Sequence, residues 1–377
     1  MLHTYYSDRI DWLSNLLAKQ LITNPPAILD KVHIGVENHL LGKWLKDQIT
    51  IQNGFNALCE FKSISDCTEN LLNRIQPNRL NNDWKFESLR WKIIDSLEEL
   101  SNFKQSWPIE YWLNKHKQNK FIVDRDTYAL STNITSVFYQ YLNYRPELIF
   151  NWHKQDINSK LLYNQLEDDE YWQPILFKLI EKRVISDSQT IILFEIIKKL
   201  NKRKDRLNNL PDQLHLIITN NLSKIYIDFY QIISNYTNVY LYFLSPGINL
   251  WQRSNIDELI DQEDIDQSFI KSDLILKELG KHGANFQKLF EESLISNELN
   301  FKSELLYSEP TIINKNDSGL SLINQLKQSL ISGKKIKIKK SRDDNSLIFK
   351  SFHCILNELE YIREKIINIM QNDESVE

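Results

Sequence analysis

Apolar residues change period several times along this chain, and each change marks an element. Leu2 to Tyr5 is a short strand-like run. Ile10, Leu13, Leu16, Leu17 and Leu21 then recur every three or four residues, which predicts a helix with one buried face. Ser7 or Asp8 is placed to cap it, because a short side-chain oxygen takes up free N–H groups of a first turn. Asn24-Pro25-Pro26 is a loop. Ala27 to Val36 contains a strand, and Leu40 to Ile49 reads as a helix. From Trp84 to Leu200 the pattern is helical throughout. Leu89, Trp91, Ile93, Ile94 and Leu97 carry one apolar face; Phe177, Leu179, Ile180 and Ile191 to Ile197 carry others. Leu214 to Thr219 and Val239 to Leu244 read as buried strands on either side of a helix from Lys224 to Ser234. That βαβ unit implies a parallel sheet. Near the end, Ser346 to Phe349 reads as a strand, Ser351 to Cys354 as a turn, and Glu358-Leu359-Glu360 as the start of a helix.

A corner stands in the middle of the helical stretch, in LSTNITSVFYQYLNYRPELIFNW, residues 130–152. Ser131, Thr132 and Asn133 can each cap a helix whose apolar face is Val137, Phe138 and Tyr141. Arg145 precedes a proline, which pushes it out of the α region and ends that helix. Pro146 can open the next helix, with Glu147 beside it to complement the dipole. The pattern alone describes a packed helical corner carrying an arginine.

Composition narrows the chemistry. The chain has 377 residues, enough for two or three domains, and a net charge of −4, so any contact with nucleic acid needs local basic patches. Lys198 to Arg206 and Gly333 to Arg342 are two such runs; each also reads as a solvated helix end or linker. Aromatic residues are plentiful, with Trp 9, Tyr 16 and Phe 17. Only 8 glycines are present, which weighs against a nucleotide-dependent enzyme, since phosphate loops spend glycine on close backbone approach. Cys59, Cys67 and Cys354 suit neither a disulfide framework nor a zinc site, which fits a reducing cytoplasm. No apolar stretch reaches membrane-spanning length. Paired carboxylates, metal sets and nucleophile–base spacings do not rise above background.

Val36 to Trp44 forms a strand–loop–helix where a phosphate loop would lie. A working loop needs G-x-x-x-x-G-K-[ST]. Here Gly42-Lys43 is followed by Trp44, which cannot bind magnesium, and the first glycine position is Glu37. The reading is a site without ATPase activity.

Several of these stretches, in order, resemble the N-terminal part of RecC proteins, the gamma subunit of RecBCD (exodeoxyribonuclease V). The opening Met1-Leu2…Tyr5…Ser7 is similar to M-L-x-x-Y-x-S-N, with Asp8 in place of Asn. Val36, Trp44 and Leu45 match the family's V-Q-S-x-G-M-A-x-W-L. Phe138, Gln140, Tyr141, Tyr144-Arg145-Pro146 and Trp152 resemble its F-x-QY-x-x-YRP run, although family acids there are Ser136 and Tyr139. Tyr171 to Leu176, the βαβ unit with Pro246 and Trp251, and the paired Gly280 and Gly283 follow. Glu358-Leu359-Glu360 resembles R-E-V-E. The family's prolines near Phe61 are replaced by Lys62 and Ile64, and a tryptophan position is Glu69.

The resemblance implies an α/β fold with a large all-α insertion, its first domain an inactive superfamily-1 helicase-like, P-loop-type domain. Residues 1–80 and 205–345 would form that domain, 81–204 the inserted helical domain, and 346–377 the start of a truncated second helicase-like domain. The implied function is that of a non-catalytic DNA-binding subunit of a cytoplasmic bacterial helicase/exonuclease, acting in double-strand-break repair by homologous recombination. The alternative is a truncated or split remnant serving only as a scaffold. DNA (a duplex end and a single strand) and RecB-type and RecD-type subunits would be the partners. ATP and magnesium would be used by those subunits, and this chain would hold no cofactor. Lys43, Trp44, Tyr141 and Arg145 are the candidate DNA contacts; Lys43 reads equally as a solvated lysine.

Overall fold

The computed structural model describes residues 1–26, 30–56, 58–77, 79–80, 82–116, 125–164, 166–202, 207, 209–219, 222–245, 280, 282–283, 285–290, 292–293, 301–305, 321–326 and 344–372. Chain contacts divide the protein into two compact units: Met1–Gln262 with Ile275–Ser308, and Glu263–Leu274 with Glu309–Glu377.

The first unit is built on a six-stranded sheet. Its strands are β1 (Leu2–Ser7), β2 (Val32–Val36), β3 (Cys59–Ser63), β4 (Gln213–Ile218), β5 (Asn238–Leu244) and β6 (Phe301–Leu305). The order is β3-β2-β4-β5-β1-β6, and every pairing is parallel. A parallel sheet is covered on both faces, so its central strands read as continuous apolar runs. QLHLII and NVYLYFL come close to such runs, interrupted by Gln213, His215 and the exposed Asn238, and every residue of β4 is buried. β3 and β6 lie at the edges, and neither stood out as a strand in the sequence.

Helices α1 (Ile10–Thr23) and α2 (His39–Asn53) cover one face over Tyr5, Ile34, Ile217 and Tyr242. Helices α3 (Ile64–Ile75), α9 (Gln189–Lys202) and α10 (Lys224–Ile233) cover the other, over Tyr6, Leu216 and Phe243. The expected βαβ unit is present as β4–α10–β5. The cap of α1 differs from expectation: Arg9 holds that position, and Ser7 Oγ accepts from its N–H instead.

Between α3 and α9 lie α4 (Phe86–Leu100), α5 (Trp107–His116), α6 (Arg125–Tyr144), α7 (Pro146–Lys154) and α8 (Trp172–Glu181). They surround a second core centred on Trp152, Phe138 and Phe177. Phe194 of α9 packs against both cores, and its ring lies 4.4 Å from that of Phe150. The corner forms as expected at Arg145, with Pro146 opening α7. Ser131 and Thr132, however, lie inside α6, and their hydroxyls donate back to the Tyr128 carbonyl at 2.8 Å. That bond lets a capping residue sit inside a helix. The inward face is Ile134, Phe138 and Leu142, while Val137 is exposed.

In the second unit, α11 (Ile355–Asn372) is the principal described element. Residues 346–349, expected as a strand, have no ladder partner among the described residues. No helix among the described residues is long and apolar enough to cross a membrane.

Candidate functional site

Sheets of this kind bind ligands beyond the carboxyl ends of the strands, where successive connections run to opposite faces. Such a point lies between β2 and β4: β2 leads into α2 on the face that α1 covers, and β4 leads into α10 on the other. A neighbouring crevice lies between the ends of β1 and β5: β1 leads into α1 on one face, and Phe290 packs on the other, its ring 4.8 Å from that of Phe243. Ser245 N donates to Ser7 O at 2.8 Å across the crevice. Its turn is Ser7-Asp8-Arg9, with no glycine, and the Arg9 guanidinium is bound to Asp11 at 2.5 Å. The phosphate-loop position expected from the sequence, β2–α2, adjoins the β2–β4 point. β1 itself meets its neighbours only through pairings more than 200 residues away.

The β2–α2 loop forms a different feature. An open cleft of about 600 Å³ lies at the carboxyl ends of β2 and β3, over the first turn of α2. Asn38 caps that turn by accepting from Leu41 N at 2.9 Å. Lys43, Lys46 and Lys62 line the cleft. Lys43 and Lys46 are exposed and have no ion-pair partner among the described residues; Lys62 pairs with Glu60 at 3.1 Å. Lys31 and Lys62 together lower the Glu60 carboxyl to about 2. Gly42 is a packing residue: a Cβ there would stand 3.1 Å from Phe61 Cβ and 3.3 Å from Val36 Cγ2. Trp44 is half-buried against the α1–α2 core.

Glu37, at the end of β2, does not point free into the cleft. Its carboxylate accepts from Thr219 N at 2.9 Å and from Thr219 Oγ1 at 2.5 Å, tying the ends of β2 and β4 together. Two orphaned donors would remain in Glu37→Ala. That variant is expected to lose about 1–3 kcal/mol in urea unfolding, and Glu37→Gln less, since an amide oxygen still accepts.

The second candidate pair sits at the α6–α7 corner. Arg145 is exposed, with its guanidinium 5.9 Å from the Tyr141 ring centre. Tyr141 itself is fixed inward: its hydroxyl donates to Gln173 Oε1 at 3.1 Å, and its ring meets Trp152 edge-on at 5.9 Å. Burial raises its hydroxyl pKa. Tyr144 is the open ring here, 66% exposed. The sequence carried that signal, because Tyr141 falls three residues after Phe138 on the buried face and Tyr144 does not. Trp44 packs against one core and Tyr141 against the other, so the neighbours Lys43–Trp44 and Tyr141–Arg145 form two separate places.

Burial raises the Cys59 and Cys67 thiols to about 11 and about 12, so neither is a ready nucleophile. Among the described residues, no group of three His, Cys, Asp or Glu side chains could hold a metal ion.

A family model of the RecC N-terminal domain matches residues 2–332. This chain belongs to the RecC N-terminal domain family. It is 21% identical over 421 aligned residues to the RecBCD enzyme subunit RecC of Haemophilus influenzae, covering all of this chain and 37% of that protein. The RecC of Buchnera aphidicola subsp. Acyrthosiphon pisum is 22% identical, again over the whole chain and 34% of its own length. The RecC of Mycolicibacterium smegmatis is 20% identical, with 32% of its length covered. The chain therefore spans about a third of the length of the curated relatives it matches. Sequence reasoning missed two features of this RecC-type domain: Lys46 and Lys62 beside Lys43, and the Glu37–Thr219 clasp. Lys46 lies three residues after Lys43, one turn along α2, and that spacing was readable. Lys62 and the clasp depend on sheet pairing.

Proposed function

We propose that this chain is a non-catalytic, DNA-handling part of a RecBCD-like helicase/exonuclease that acts in double-strand-break repair by homologous recombination. The observation that carries the reading is the lysine-lined cleft over the α2 N-terminus. Lys43, Lys46 and Lys62 supply positive charge, and the helix start adds its dipole, so the cleft suits the phosphates of a single strand. The α6–α7 corner offers a second contact: the exposed Arg145 supplies a cation, and the open Tyr144 ring next to it in the chain is one on which a base can stack. Trp44, next to Lys43 on α2, and Tyr141, 5.9 Å from the Arg145 guanidinium, are the aromatic residues of these two places. The β1–β5 crevice, with Ser7-Asp8-Arg9, is unlike a phosphate loop, which supports an inactive helicase-like domain. ATP and magnesium then belong to RecB-type and RecD-type partner subunits.

Binding of a labelled oligo(dT) strand by the purified chain, followed by anisotropy across salt concentrations, tests this. The double variant Lys43→Ala/Lys46→Ala should bind more weakly. The slope of log K against log salt should become shallower by about 1.4, or about 0.7 for each phosphate contact on a single strand. Both side chains are exposed, so the fold should be unchanged by circular dichroism. Wild-type protein that shows no salt-dependent binding would leave the scaffold-only remnant as the function. An unchanged slope in the variant would move the DNA site away from this cleft.

A further inference from the structure

Helix α4 turns a different surface to solvent. Glu87, Trp91, Asp95 and Glu98 follow one another at spacings of four, four and three residues, and all four are exposed. Trp91 is 50% exposed, and it meets Tyr128 of α6 edge-on at 6.3 Å. Beneath them lies Arg90, which is buried. Its guanidinium stands 4.4 Å from the centre of the Tyr128 ring and pairs with Glu87. A buried cation thus fixes the Tyr128 ring beside Trp91 rather than leaving both free to turn.

Fixed, open Trp and Tyr rings are the residues that anchor protein interfaces. The charge around them selects the occupant. Asp95 and Glu98 have no ion-pair partner among the described residues, and Lys92 is occupied, donating to the Arg183 carbonyl at 2.9 Å. A nucleic acid would bring phosphates against these carboxylates. A basic protein segment would bring cations to them and could lay an Arg or Lys over the Trp91 ring. We propose that the outward face of α4, built on Trp91 and Tyr128, docks a basic segment of a partner protein. Its residues are distinct from those of the lysine cleft, so it stands independently of the DNA reading.

The test uses the full chain and a short labelled peptide of alternating Leu and Arg as the probe, with oligo(dT) in parallel. The peptide should bind and weaken as salt rises. Trp91→Ala, and separately Asp95→Lys/Glu98→Lys, should reduce affinity about ten-fold or more, equivalent to about 1.4 kcal/mol. Trp91→Phe should retain most of the binding and guards against a fold defect in the alanine variant. Absence of peptide binding would overturn the proposal, as would wild-type affinity in Trp91→Ala. Oligo(dT) binding that Trp91→Ala weakens and the charge reversal strengthens would also overturn it, by making the face a nucleic-acid surface.

Discussion

Trp152→Ala should destabilise the helical layer by about 3–5 kcal/mol, the usual cost of emptying a large aromatic site in a core. Trp152 is fully buried, with Phe177, Tyr141 and Phe138 ring centres at 5.7, 5.9 and 6.2 Å. It joins α7 to α6 and α8, so no single helix can shift to fill the void. Its indole Nε1 has no hydrogen-bond partner. Trp152→Phe therefore removes an unsatisfied donor while keeping most of the ring, and should cost much less, about 1.5 kcal/mol or under. Urea unfolding of both variants, followed at 222 nm, checks the difference. Equal losses would mean that the indole's second ring carries the packing.

Mild acid should destabilise the sheet through His215. This residue is fully buried in β4, stacked 4.7 Å from Tyr240, with Nδ1 3.1 Å from the Tyr242 hydroxyl and Nε2 unpartnered. Burial lowers its pKa from 6.5 to about 3. The unfolded chain takes up a proton near pH 6.5 and the folded chain does not. The stabilisation is therefore complete above pH 6.5 and is lost as pH falls towards 3, at up to about 1.4 kcal/mol per unit. Between pH 7 and pH 5 the loss should be about 2 kcal/mol. His33, lowered first by its burial and then by Arg74, adds in the same direction. His153 opposes it: the Glu181 hydrogen bond raises its pKa, so its contribution is full below pH 6.5 and fades as pH rises through the raised value. Urea midpoints at pH 7 and pH 5 measure the net effect. His215→Phe should flatten the dependence, whereas an unchanged slope would assign it to other groups.

The sequence by itself determined the elements whose burial is complete or one-sided. β4 and β5 were legible because both of their faces are covered, so nearly every position is apolar. The inward face of α1 and the Arg145–Pro146 corner were legible because helical spacing and proline geometry are local properties. The family resemblance was legible too, through short runs in a fixed order. Tertiary structure alone decided the rest. β3 (CEFKS) and β6 (FKSEL) are edge strands, where pairing on one side suffices and no apolar run is needed. Residues 346–349 have an apolar Leu-Ile-Phe run, but a strand needs a neighbour, and none pairs with them among the described residues. Most consequential is strand order. The pairing of β2 with β4 leaves Glu37 to clasp Thr219 instead of facing an empty loop, and the placing of β1 between β5 and β6 brings Ser7 against Ser245. Backbone hydrogen bonds between strands set both, and side-chain pattern along one strand does not name its partner.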